Sequence, residues 1–149
     1  MSDTSLGLKE FFTLDHRRCD EKWIEVEAAA QAGDSEISKE KWRTFESGML
    51  RHLRMEEEVM FPAFEQASGM TGGGPTFVMR SEHEQMRGLL EQMAAAANGE
   101  DYDELVDLGD TLLMLIQQHN QKEEQMLYPM AEQALTAEWA KIAEKLTEY

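Results

Sequence analysis

Residues 52–62 read HLRMEEEVMFP, and residues 119–129 read HNQKEEQMLYP. Both follow one pattern: a histidine, three residues, two glutamates, three residues, an aromatic residue and a proline. The offset between them is 67 residues (119 − 52), and the same step carries His16 onto His83 and Asp15 onto Glu82. The chain has 4 histidines, and this register uses all of them in two matched pairs. The sequence is therefore a pseudo-repeat, 13–66 and 75–129, in which each half is expected to be a helical hairpin.

Three breaks flank these segments: Gly33-Asp34-Ser35, Thr71-Gly72-Gly73-Gly74-Pro75 and Asn98-Gly99-Glu100-Asp101. Each combines residues that leave the α region cheaply or cap the helix that follows. They leave long segments at roughly 13–32, 38–66, 75–97 and 101–129, with a shorter one at about 136–147. Apolar residues recur at intervals near three and four in each long segment. They are Leu14, Cys19, Trp23 and Val26, then Trp42, Phe45, Met49, Leu53 and Met60. The third has Phe77, Val78, Met86, Leu89, Leu90 and Met93, and the fourth Leu105, Leu108, Leu112, Leu115 and Ile116. Thr13 or Asp15 is expected to cap the first helix, and Pro75 suits the opening turn of the third. No segment alternates with a period of two. The expected fold is all-α, an up-down-up-down four-helix bundle with a short extra C-terminal helix. One domain over 1–149, with its core at about 13–130, accommodates all of it. Gly72-Gly73-Gly74 precedes Pro-Thr, without the Lys-Ser or Lys-Thr that a phosphate-binding loop requires, and reads as a joint between the halves.

Composition narrows the partners. The 149 residues carry 14 Lys and Arg against 30 Asp and Glu, a formal charge of −16. Such a surface repels phosphate backbones and anionic lipid headgroups, which argues against nucleic-acid and membrane-surface binding. The longest aliphatic run, Leu112 to Ile116, is far shorter than the roughly 20 residues of a membrane span. Cys19 has no partner for a disulfide, and Met1 to Lys9 lacks the basic and apolar regions of a secretory signal, so a cytoplasmic location is expected.

Two hairpins packed face to face about a pseudo-twofold axis bring equivalent positions together at one depth. That converges His16, His52, His83 and His119, and Glu56 and Glu123, one helical turn beyond their histidines, follow them inward. Buried imidazoles and carboxylates need compensation, which a metal ion supplies. Mixed nitrogen and oxygen donors favour iron, manganese or zinc over calcium or magnesium. Six side chains overfill one tetrahedral site, whereas two glutamates shared by two ions leave two histidines for each. Glu57, Glu58 and Glu124, one or two positions further on, are expected to turn away toward solvent or basic partners.

With these residues the chain resembles the hemerythrin-like (HHE cation-binding) proteins, non-haem di-iron four-helix bundles, over about 13–130. The resemblance implies His16, His52, His83 and His119 as terminal ligands and Glu56 and Glu123 as bridging ligands of two iron ions; zinc or manganese suits the same donors. It implies binding of, or reaction with, a small diatomic ligand, O2 or NO, or a role in handling iron in stress or iron-sulfur repair. The oxygen carriers of the family have a fifth histidine where this chain has Arg87, which cannot ligate a metal. That departure leaves an open coordination site and tilts the expectation from reversible O2 carriage toward NO or oxidative stress. Asp20, the repeat partner of Arg87, is expected to pair with it. A di-iron oxidase or ferroxidase-like enzyme and a metal-free helical interaction module are the alternatives. Met49, Met86, Trp23 and Ile116 are candidates for the wall of a small-ligand pocket, Cys19 for inert packing beside it, and Tyr128 for a core or interface aromatic.

Overall fold

The structure, a computed structural model, describes residues 6–149. Met1 to Ser5, part of the segment on which the secretory argument rests, lie outside the described residues. The helices are α1 (Leu8–Gln31), α2 (Ser35–Met55), α3 (Phe61–Ser68), α4 (Pro75–Asn98), α5 (Tyr102–Lys122), α6 (Tyr128–Ala134) and α7 (Trp139–Leu146). A π turn, Glu56–Met60, joins α2 to α3, and a second, Glu123–Leu127, joins α5 to α6. No strand occurs among the described residues. The molecule is the expected all-α bundle with an additional C-terminal helix.

Local chemistry sets the ends. Asp34 accepts the Ile37 N–H at 3.0 Å and Asp101 accepts the Glu104 N–H at 3.1 Å, each capping a helix start. Helix α1 corrects the expectation at its own start. It begins at Leu8 after Gly7, which makes no side-chain cap bond, while Thr13 and Asp15 lie inside the helix. Leu8, Phe11 and Phe12 are buried, and their packing extends the helix past the expected caps. Gly72 and Gly74 take positive φ in the connection between the halves, a conformation only glycine adopts cheaply.

Helix α1 packs along α2 and α4 along α5, and the hairpins meet through α2 with α4 and α1 with α5. In the first hairpin the cross-links run antiparallel, and the second has a link at the matching position. Asp15 meets His52 while Glu25 meets Lys41, and Glu82 meets His119. The core lies in two blocks. Phe12, Met55, Phe61, Phe64, Met79 and Leu127 build one; Trp23, Trp42, Phe45, Leu90, Met93 and Leu112 belong to the other. Along α1 the order is Phe12, His16, Cys19, and along α4 it is Met79, His83, Met86, so the histidines form a polar layer between the blocks.

Leu14, Phe77 and Val78 are not core residues, being 39%, 60% and 45% exposed. On α4 the inward stripe is Thr76, Met79, His83, Met86, Leu90 and Met93, a regular alternation of three and four that leaves Phe77 and Val78 off its face. Helices α1 and α5 approach closely at one glycine. A Cβ built on Gly109 would run into the Trp23 ring, so this glycine makes room for the indole.

Candidate metal centre

The π turns explain how the layer is built. Pro62 and Pro129 each follow the aromatic residue of the repeat, and a proline has no N–H and crowds the carbonyl four residues back. The chain relieves this with a wider turn: the Phe61 N–H bonds the Glu56 carbonyl and the Tyr128 N–H bonds the Glu123 carbonyl, each five residues back. A wider turn advances each residue by a smaller angle, so the residue after Glu56 or Glu123 stays nearer the face of its predecessor.

The sequence-selected side chains are brought together. His16, His52, Glu56 and Glu123 each offer a donor atom within 4.8 Å of the others, and so do Glu56, His83, His119 and Glu123. Glu56 and Glu123 belong to both groups. All six residues are buried, at 0% exposure for Glu56, His83 and Glu123 and at most 4% for the rest. His52 Nε2, His83 Nε2, His119 Nε2, Glu56 Oε1 and Glu123 Oε2 have no hydrogen-bond partner. His83 Nε2 and Glu56 Oε1 stand 3.1 Å apart, as do His119 Nε2 and Glu123 Oε1, close enough for an ion pair yet without hydrogen-bond alignment. Buried polar atoms left this way are costly, by roughly 1–3 kcal/mol each. A metal ion fits what these atoms lack, and the mixed imidazole and carboxylate donors suit iron, manganese or zinc.

Each histidine gives its other ring nitrogen to a different carboxylate. Nδ1 of His16 donates to Glu124 at 2.8 Å, that of His52 to Asp15 at 2.7 Å, that of His83 to Glu57 at 2.7 Å and that of His119 to Glu82 at 2.9 Å. A carboxylate can only accept, so Nδ1 carries a hydrogen in each ring; Nε2 has no hydrogen-bond partner in His52, His83 and His119, and in His16 it lies 3.1 Å from Glu123 Oε1. The four pairs obey the 67-residue repeat: Glu57 matches Glu124 and Asp15 matches Glu82. Each carboxylate also meets a cation: Glu124 with Arg17, Glu57 with Arg87, Asp15 with Arg51 and Glu82 with Lys122.

Three expectations are corrected here. Glu57 and Glu124 meet basic partners as expected, Arg87 and Arg17, but they do not turn away from the site, because the π turn keeps them near its face; Glu58 does, pairing with Arg54 on the surface. Arg87 does not pair with Asp20. It donates to Glu57 at 2.6 Å, while Asp20 meets Arg17 on its own helix at 3.6 Å. Tyr128 is more than a core aromatic. Its hydroxyl donates to Glu56 Oε2 at 2.5 Å and lies 2.9 Å from Glu123 Oε1 and 3.1 Å from His16 Nε2. Its repeat alignment with Phe61 is visible in the sequence, but nothing there shows that the hydroxyl reaches the polar layer.

Charge is strongly coupled within the layer. Burial alone would lower the His52 and His83 values, but Glu56 and Asp15 hold the first well above the ordinary imidazole range, and Glu56 and Glu57 bring the second to about 9. Burial would raise the Glu56 carboxyl, yet His52 foremost, with His83, holds it well below the usual carboxylate range. Burial, then Glu123 and Glu56, push the Tyr128 phenol well above its ordinary value.

A small apolar cavity of about 20 Å³ adjoins the layer on the Trp23 side and has room for a molecule of a few atoms. Trp23, Met49, Met86 and Ile116 line it as expected, together with His16, His52 and His119. Cys19 lines it too, and burial raises its thiol, which suits packing better than reactivity.

A four-helix bundle with paired H-x3-E motifs around a buried donor layer defines a class. The hemerythrin HHE cation-binding domain matches residues 8–131, and the chain belongs to that family. It is also similar to the iron-sulfur cluster repair protein YtfE of Cronobacter sakazakii, 40% identical over 47 residues, which is 32% of this chain and 21% of that protein. No solved structure matches the chain. No helix among the described residues is long and apolar enough to cross a membrane.

Proposed function

We propose that this chain is a cytoplasmic di-iron protein that binds or reacts with O2 or NO, or handles iron in stress or iron-sulfur repair. His16 and His52 would hold one ion, His83 and His119 the other, and Glu56 and Glu123 would be shared between them. The observation that carries this reading is the pair of four-donor groups with two glutamates in common. The unpartnered Nε2 and carboxylate atoms of the layer support it against a metal-free helical module.

Iron in such a shell supplies redox electrons and vacant positions for a diatomic molecule. The chain's own residues do the rest. Asp15, Glu57, Glu82 and Glu124 fix the orientation of the four imidazoles, and the two core blocks keep bulk water from the layer. The apolar cavity beside His16, His52 and His119 admits a small uncharged molecule and disfavours ions. Arg87 occupies the place of a fifth histidine and is tied to Glu57, which supports an open position and argues for NO or oxidative stress over reversible O2 carriage. The similarity to an iron-sulfur cluster repair protein supports that direction over a short stretch.

The experiment is metal analysis of protein produced with iron and purified without chelator or histidine tag, followed by O2 and NO titration of the reduced form. Two irons per chain and a spectral change with NO are expected. One zinc or no metal would overturn the di-iron reading, a stable reversible O2 adduct would overturn the tilt away from carriage, and steady O2 consumption with iron(II) would favour a ferroxidase.

A further inference from the structure

The 67-residue repeat fails at one position that touches the donor layer. Tyr128 corresponds to Phe61 (128 − 67), and each ring lies against the first histidine of one group: Tyr128 is 5.6 Å from the His16 ring and Phe61 is 5.4 Å from the His83 ring, centroid to centroid. One ring carries an oxygen and the other does not. The Tyr128 hydroxyl is within 2.5–3.1 Å of Glu56, Glu123 and His16 at once. These are three of the four members of the group His16, His52, Glu56 and Glu123.

A phenol has one proton and can satisfy one of these acceptors. Directed to Glu56, the nearest, it leaves the phenol oxygen facing Glu123 Oε1 at 2.9 Å with no hydrogen from Tyr128 between them. A cation among these atoms removes that conflict. The distances also fit a shared shell, because donors about 2.1 Å from one metal at right angles are about 3.0 Å from each other. The Phe61 ring, which lies against His83, supplies no equivalent atom.

We propose that Tyr128 is a seventh ligand, given by its phenol oxygen to the metal of His16 and His52 only, so that the two metal positions are chemically unequal. The proton leaves to solvent when the metal binds. The position at His83 and His119, with Phe61 opposite, has one protein donor fewer. This inference rests on the two-metal centre proposed above.

The test is the visible and resonance Raman spectrum of the protein loaded with iron(III), beside Tyr128→Phe and Phe61→Tyr, with iron per chain measured on each sample. The expected result is a phenolate-to-iron charge-transfer band with enhanced phenolate vibrations in the natural protein, lost in Tyr128→Phe at two irons per chain. Phe61→Tyr should strengthen the band by adding a second phenolate. Two irons per chain with no such band, or a band unchanged in Tyr128→Phe, would overturn the ligand assignment and leave the two-metal centre standing. Fewer than two irons in the natural protein would overturn both. Should Tyr128→Phe fold poorly, the ultraviolet difference spectrum of the natural protein on zinc addition decides. One tyrosine ionised per chain supports the assignment, and none ionised overturns it.

Discussion

Glu57 joins His83 to Arg87: its Oε2 lies 2.7 Å from His83 Nδ1 and 2.6 Å from Arg87 Nη1. The Arg87 guanidinium thus orients a candidate ligand through one shared oxygen. His83 and Arg87 together hold the Glu57 carboxyl near 2 against the opposing effect of burial, so it stays charged at any physiological pH.

Removing such an orienting carboxylate frees the imidazole to rotate. Glu57→Ala and Glu124→Ala are each expected to weaken metal binding by about 10–100-fold with little loss of helix content. Competition against a chelator of known affinity, with far-ultraviolet circular dichroism alongside, measures both. Affinity within a factor of two of the natural protein would contradict the role.

Sharing makes a different prediction for Glu56. Because it belongs to both donor groups, Glu56→Ala should lower occupancy at both positions, whereas His83→Ala should leave the His16 and His52 position filled. Metal per chain under limiting iron, counted for each variant, separates the two. Equal loss in both variants would argue that the positions fill only together.

Proton competition follows from His83. Its folded value of about 9 exceeds the 6.5 of an unfolded chain, so its contribution to the stability of the metal-free protein is complete below 6.5 and lost as pH rises through 9. The same proton must leave before a metal binds, so affinity should rise with pH up to about 9. Calorimetric zinc titration at pH 7 in buffers of different ionisation enthalpy should show proton release, and heats independent of buffer would refute this.

Packing at Gly109 offers a test away from the metal layer. A methyl group there meets the rigid Trp23 ring, and Gly109→Ala should cost about 1–3 kcal/mol by overpacking, despite the better helix propensity of alanine. Denaturant unfolding of the zinc-free protein measures it. A stabilised variant would mean that α1 and α5 shift apart without strain.

Much of this arrangement was legible before any coordinates. The long segments, the repeat and the convergence of four histidines with Glu56 and Glu123 follow from helical periodicity and from one offset. What the periodicity concealed traces to the prolines. Spacing rules for an α-helix turn Glu57 and Glu124 away from the layer, but Pro62 and Pro129 enforce wider turns that keep them beside it. The reach of the Tyr128 hydroxyl and the choice of Glu57 over Asp20 by Arg87 depend on distances between helices, which no single-chain pattern encodes. Leu14, Phe77 and Val78 misled because apolar character alone does not place a residue on the inner stripe.

The division of donors between the halves has a mechanical consequence. The first hairpin contributes His16, His52 and Glu56, the second His83, His119 and Glu123, and each four-donor group borrows its last member from the other hairpin. Neither hairpin alone completes a group. Any motion that parts α2 from α4 and α1 from α5 therefore opens both groups at once, and a metal bound as proposed would act as a clasp across that seam. Release of metal would then go with loosening of the bundle, and the acidic exterior of the chain would lie beside a newly exposed seam that is apolar on either side of the histidine layer.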